Sequence, residues 1–470
     1  MMFNKIIILV LILFFSRAII AQENPKTINA EQVLNVVRSF HPVIRQSYIG
    51  VEKSKSEILN ARGNFDPVFS NYLGKKTFDG ENYYKDISPE LKIPTWYGAD
   101  IYAGLEDLTG DRLDPSQSEG QSSFVGINIP LAKNLVIDKR RAFLKQAKIY
   151  NSMAEVEQNI MINDLCMDAI SAYWAWVKAY ETYAVVANKV RVDEKRLELI
   201  RKWIENGERP AVDSIEAITQ LQSFQYRKNE NWLEFQNAGL LLSAFMWTKD
   251  NNPYQLPESV IPEGNWEFET LLTNFNLDLP ILLSEAQLNH PYLKIYDYKL
   301  DVLDIEKKLK FQDLLPKVDF RYNFLAKTYA IDKTITDASP FQNNYQYMLK
   351  AEIPLFLSQG RANYKIAKLK IEDTRLDQNQ KKVDILLKIK SYYNEFVTLK
   401  NQVDLQNKYV ENYQKLVKAE ETLLENGEST LFLINSRENK ALEAQEKLIE
   451  IKTKYFKSIY ALQWSAGLLR

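Results

Sequence analysis

The stretch 361–425, RANYKIAKLKIEDTRLDQNQKKVDILLKIKSYYNEFVTLKNQVDLQNKYVENYQKLVKAEETLLE, contains neither proline nor glycine. Helix interiors exclude both: proline removes a hydrogen bond and clashes with the preceding turn, and glycine costs backbone entropy. The stretch is rich in good helix formers, so it reads as one helix, roughly 100 Å long at about 1.5 Å per residue. No ordinary globular domain needs a helix of that length. The helix also shows a seam. Ile389, Phe396, Val403, Val410, Val417 and Leu424 recur every seven residues, and Tyr392, Leu399 and Tyr413 fill three of the intervening positions. A seven-residue repeat predicts coiled-coil packing against neighbouring helices. Gln406 and Glu420 interrupt the seam with polar side chains.

The stretch has a twin. Residues between Pro130 and Gly207 are also free of proline and glycine, which predicts a second long helix over 136–205. Both long helices end at the same turn, Glu205-Asn206-Gly207-Glu208 and Glu425-Asn426-Gly427-Glu428. Glycine just past a helix supplies the left-handed residue that closes the last turn. Each turn leads into a shorter helix, about 211–248 and 431–466, with Ser429 or Thr430 available to cap the second. Upstream the correspondence continues. The only two histidines both precede proline, in His41-Pro42 and His290-Pro291, and each is followed at equal distance by Pro67 and Pro316 (290 − 41 = 249 and 316 − 67 = 249). Two further helical segments, about 29–62 and 281–313, should break at Pro42 and Pro291. Landmarks in one order, twice over, describe a duplicated unit.

Between each short helix and its long helix the period changes to two. Val318, Phe320, Tyr322, Phe324 and Ala326 alternate with Asp319, Arg321, Asn323 and Lys327, and Tyr345, Tyr347, Leu349, Ala351 and Ile353 alternate with Gln346, Lys350 and Glu352. Such alternation predicts strands with one apolar and one polar face. In the first half, strands begin at Phe69 and run through Ile101–Leu105 and Val125–Ile129, and Leu91–Ile93 could add a fourth. That half therefore contributes either two strands or four. The expected unit is helix-strand-strand-helix-helix, mainly α with membrane β.

The N-terminus carries an export signal: Lys5, an apolar run from Ile6 to Phe15, and a cut after Ala21. The run is too short to span a bilayer as a helix, and no later run reaches about eighteen apolar residues. A membrane contact would then fall to the strands. Four strands cannot close a barrel, and open edges are not tolerated in lipid, so several chains must pool their strands; three chains at four each give about twelve.

The composition excludes other functions. Net charge is −1, which offers nucleic acid no electrostatic footprint. Cys166 is the only cysteine, so no intrachain disulfide is possible, and it reads as a small buried apolar group. Neither histidine stands in a catalytic constellation, and no phosphate-binding, zinc or dinucleotide motif is present. No enzyme activity, cofactor or metal site is expected.

With these residues the chain resembles TolC-type outer-membrane efflux proteins, from about Ile28 to Leu469. The resemblance rests on the two His-Pro helices leading to Phe65-Asp66-Pro67 and Leu315-Pro316, the Ile-Pro-Leu segments at 129–131 and 353–355, and the paired Asn-Gly turns. It implies a homotrimer, with a long coiled-coil α-barrel in the periplasm and a trimeric transmembrane β-barrel in outer-membrane lipid. It also implies a channel for tripartite efflux or type I secretion, docked through the turns at 205–208 and 425–428 to a periplasmic adaptor and an inner-membrane transporter. The implied layout is a signal peptide over 1–21, a first repeat over 22–250 with barrel strands about 66–131, an equatorial connecting segment over 251–280, and a second repeat over 281–470 with strands about 317–355. Acidic residues after the glycine turns narrow the mouth in that family; the matching positions are Asp213 and Glu216 in the first copy, but Leu433 and Ser436 in the second. A periplasmic adaptor, or a coiled-coil structural protein without a pore, is the alternative reading. Adaptors would carry one hairpin flanked by β domains rather than a duplicated unit.

Overall fold

The structure, a computed structural model, describes residues 26–114, 118–264, 278–336, 340–342 and 344–469. The expected signal peptide lies outside them, as do 265–277 of the connecting segment. Two compact units divide the chain: Met1–Arg45, Ile162–Leu283 and Lys388–Arg470 form one, and Gln46–Met161 with Ser284–Leu387 the other.

The helices are α1 (Ala30–Phe40), α2 (Pro42–Gly63), α3 (Lys139–Glu205), α4 (Val212–Ser243), α5 (Leu279–Asn289), α6 (Pro291–Phe311), α7 (Ile331–Thr336), α8 (Ser358–Glu425) and α9 (Leu431–Ser465). The two long ones, α3 and α8, run unbroken for 67 and 68 residues. The breaks expected at the His-Pro pairs separate α1 from α2 and α5 from α6. They have a shared cause. In each copy the histidine Nδ1 accepts the backbone N–H two residues on, Val43 in one and Tyr292 in the other, both at 3.2 Å. Proline follows where its missing donor is harmless. The duplicated histidines are helix caps.

In the first unit, α1 lays Ala30, Val33, Leu34 and Val37 against Tyr173, Trp174 and Trp176 of α3, with Leu242 of α4 and Ile459 of α9 closing the core. Cys166 is buried in the same core and is a free thiol. The expected seam of α8 faces inward: Ile389, Leu399, Val410 and Leu424 are buried. Its polar interruptions have partners. Gln406 donates to the Ala444 carbonyl at 2.8 Å, and Glu420 accepts from Ser429. A different stripe of α8 has no cover. Leu369, Leu376 and Val383 repeat at seven-residue spacing and stay exposed, and Leu416 and Leu423, also seven apart but out of phase with them, are exposed too.

The second unit holds a six-stranded antiparallel sheet in the order β2-β3-β4-β5-β7-β8. Its strands are β2 (Val68–Phe78), β3 (Glu81–Pro94), β4 (Asp100–Thr109), β5 (Gly120–Pro130), β7 (Lys317–Lys327) and β8 (Tyr345–Glu352). Two-residue strands β1 (Thr27–Ile28) and β6 (Ile261–Pro262) pair in the first unit. Of the two counts left open for the first copy, four is the one observed; one chain therefore brings six strands to the sheet, and the count of four per chain behind a twelve-stranded barrel is corrected. The surplus is countable. Pro67 and Pro130 are 63 residues apart and Pro316 and Pro354 only 38, which leaves 63 − 38 = 25 residues for an added β3–β4 hairpin. Among the described residues no helix is long and apolar enough to cross a membrane.

Candidate functional site

Two regions carry the chemistry of this chain: the faces of the sheet, and the glycine turns with the helices leading to them.

One register line crosses the whole sheet: Phe69, Leu91, Ala103, Val125, Phe324 and Tyr345 stand side by side on six strands. The next line on that face reads Ile93, Ile101, Ile127, Tyr322 and Tyr347. The other face is polar and curves around a groove of about 1010 Å³ lined by Glu90, Glu106, Arg321 and Asn323. Arg321 there pairs with Glu90 at 3.2 Å and lies over the Tyr102 ring at 4.3 Å. One face thus suits a hydrocarbon environment and the other water, as strands of a membrane barrel require. Ser123, a polar residue on the apolar face, is covered by α7, whose Thr334 hydroxyl sits 3.0 Å away.

At the turns the two copies close alike. Glu208 donates to the Trp203 carbonyl and Glu428 to the Leu423 carbonyl, each at 2.8 Å, while Gly207 and Gly427 donate to Ile204 and Leu424. Both glycines sit at φ +76°. This is the glycine-closed helix end in which the residue after the glycine reaches back to the last turn. After the turns the copies diverge: Thr430 caps α9 by accepting from Leu433 N–H, whereas α4 starts without a side-chain cap.

The structure gives each sequence-derived acid a partner. Asp213 pairs with Arg209 at 3.6 Å, and Arg209 also donates to the Leu424 carbonyl at the end of α8 at 2.7 Å. Arg209 therefore ties one turn to the other. Glu216 accepts from Asn435 of α9 at 3.3 Å. It belongs to a ladder between α4 and α9 that includes Gln220–Asn439 and Arg227–Glu446. Each rung joins residues 219 apart, so the two helices run in parallel register.

Sequence reading missed a buried ionic cluster above the turns. Glu438 of α9 receives both guanidinium nitrogens of Arg196 and lies 2.7 Å from the Lys189 ammonium. Lys189 also meets Asp193 at 2.5 Å, and Arg196 reaches Glu421 at 3.5 Å. Burial raises the Glu438 carboxyl, but Arg196 and Lys189 outweigh it and hold the group below the usual carboxylate range. For Asp193 burial wins, and the carboxyl stands above that range despite Lys189. Lys189-Asp193 and Asp193-Arg196 have helix-neighbour spacing, so half of the cluster has a local signal; Glu438, 242 residues from Arg196, has none.

Residues 282–468 match the family described as outer membrane efflux protein. No curated protein sequence matches the chain. Among solved structures, the CmeC outer membrane channel of Campylobacter jejuni is 14% identical, with a TM-score of 0.64 over 94% of this chain and 86% of that one. VceC, an outer membrane protein of Vibrio cholerae, is 13% identical, with a TM-score of 0.64 over 93% and 96%. The open-state MtrE outer membrane channel of Neisseria gonorrhoeae is 11% identical, with a TM-score of 0.64 over 94% and 90%. At these identities the likeness shows a shared fold, and the resemblance read from the sequence falls on the same type of channel.

Proposed function

We infer that this chain is one subunit of an outer-membrane efflux channel, a homotrimer that passes solutes from periplasm to exterior without its own energy source. An inner-membrane transporter, coupled through a periplasmic adaptor, would drive the passage in tripartite efflux or type I secretion. The observation that carries this reading is the sheet, with its apolar line across every strand and both outer edges unpaired among the described residues. Open edges in lipid are not tolerated, so the wall has to be completed by further copies. The exposed heptad set Leu369, Leu376 and Val383 on α8 supports the same conclusion, since a seven-residue apolar repeat calls for a neighbouring helix. The family match on 282–468 agrees with it.

In this reading the turns at Glu205, Asn206, Gly207, Glu208 and Glu425, Asn426, Gly427, Glu428 dock the adaptor. Asp213 and Glu216 act at the periplasmic entrance, and opening moves the two turns apart. That motion breaks the Arg209 bridge between them. The transporter selects the substrate. The test is fractionation followed by reconstitution: the chain is expected in the outer membrane, trimeric in detergent, and ion-conducting in a planar bilayer. A soluble periplasmic monomer without current would favour an adaptor or a pore-less coiled-coil protein.

A further inference from the structure

We propose that all six strands of each chain enter the membrane wall, so that β8 of one copy pairs with β2 of the next and three copies close an eighteen-stranded barrel. The proposal rests on the channel reading above and changes its architecture, because four strands per chain would give twelve.

The added β3–β4 hairpin is built as wall. Its outer strands are laddered on both sides, β3 to β2 from Val68↔Lys92 to Phe78↔Glu81, and β4 to β5 from Asp100↔Asn128 to Leu108↔Gly120. The apolar line passes through it at Leu91 and Ala103 without interruption. At 14 and 10 residues, both strands are long enough to cross a bilayer, which takes about 9–11. The hairpin's turn is fixed at the level where β2 and β5 meet their helices. Trp96 stacks on Phe65 at 4.1 Å, Arg141 donates to the Tyr97 carbonyl at 3.3 Å, and Arg140 binds Asp100 at 2.8 Å. A hairpin folded away from the wall would break these contacts and strip a hydrogen-bonded edge.

The edges fit each other. In an antiparallel meander of six strands the first and last run in opposite directions, so β8 meets β2 of the next copy as one more antiparallel pair. The same contact repeated around an axis closes a ring. Apolar-face residues at these edges are strongly exposed in one chain: Phe69 70%, Leu73 67%, Tyr347 57% and Leu349 60%. Eighteen is an even number within the bacterial range. At a strand spacing of about 4.7 Å and a tilt of about 40°, the backbone diameter is about 35 Å, against about 24 Å for twelve strands.

Paired cysteines test this in outer membranes of cells making the full-length protein. Polar-face positions avoid lipid: Ser70→Cys or Tyr72→Cys in β2 with Gln346→Cys or Met348→Cys in β8. Oxidation should give denaturant-resistant dimers and trimers for at least one pair, while a chain with Cys166 alone, which is buried, gives the background. A chain whose β3–β4 hairpin lay outside the wall would also bring β8 to β2, but it would set β2 beside β5, so linkage of the β2 cysteines to Ser122→Cys in β5 would show a four-strand contribution and overturn the proposal. Linkage of the β8 cysteines to Tyr102→Cys or Glu106→Cys in β4, with none to β2, would overturn it as well. Membrane-inserted trimers with no β2–β8 linkage would overturn it too. A soluble monomer would instead remove the channel reading itself. Electron microscopy of the unsubstituted trimer supplies an independent check: a barrel near 35 Å supports the proposal and one near 24 Å refutes it.

Discussion

Glu438 is 6% exposed and faces two cations that are themselves largely covered, so its loss strands positive charge inside the helix layer. Glu438→Ala is expected to cost about 3–5 kcal/mol in urea unfolding of the detergent-solubilised protein. The exposed pair Lys440–Glu443 sets the contrast: Glu443→Ala should cost less than about 1 kcal/mol. The pH dependence has two signs. Glu438 is depressed, so its contribution is complete above the ordinary carboxylate pKa of about 4.3 and is lost as pH falls through its lower folded value. Asp193 is raised, so its contribution is present below about 3.9 and is lost as pH climbs through its higher folded value. His41 resembles Glu438 in sense. Burial lowers its pKa, partly opposed by a bond to the Ala244 backbone, and the cap on Val43 needs a neutral imidazole. Its contribution is present above about 6.5 and fades as pH falls through the lower folded value. Asp213 offers the functional counterpart. If its tie to Arg209 helps hold the mouth narrow, Asp213→Ala raises single-channel conductance in a planar bilayer, and unchanged conductance discards that role.

The same rules set the behaviour of whole elements. Gly207 and Gly427 share one φ and have open space where a Cβ would stand, so alanine at either is resisted by backbone conformation alone. Each Gly→Ala change should cost about 1–2 kcal/mol, measured as a shift in unfolding midpoint. Thr430→Ala removes the α9 cap and should cost about 0.5–2 kcal/mol; Ala211 of α4 has no such cap to lose. The sheet faces can be told apart by charge. Val125→Arg, on the apolar face, should destabilise the inserted protein by about 2–4 kcal/mol if it lies near the bilayer midplane. Ser122→Arg, on the polar face, should leave insertion intact. Equal effects from both would refute the face assignment.

For the molecule as a whole, the channel reading assigns the surfaces left open by one chain to contacts with further copies. Leu416 and Leu423 stand exposed on α8 at 44% and 39% while the inward seam of the same helix is filled. Leu416→Asp with Leu423→Asp should therefore shift detergent-solubilised protein from trimer toward monomer, read by hydrodynamic mass, with helix content unchanged. Loss of helix content would mean that these residues hold the subunit fold instead.

Much of this molecule was legible in its sequence. The long helices, the breaks at His41 and His290, the glycine turns and the alternating strands depend on residues adjacent in the chain, because backbone exclusion by proline and glycine and the two side-chain periods act locally. Other features required the assembled structure. The joining of β5 to β7, which makes one sheet of the two copies' strands, and the meeting of Arg196 with Glu438 depend on distant segments coming into register. The positions of Asp213 and Glu216 after the turn are read from the sequence, but their ties to Arg209 and Asn435 are not. Local chemistry chose the elements and paired neighbouring strands; the join between β5 and β7 and the meeting of Arg196 with Glu438 were decided by packing between segments about 200 or more residues apart, where no short-range pattern reaches.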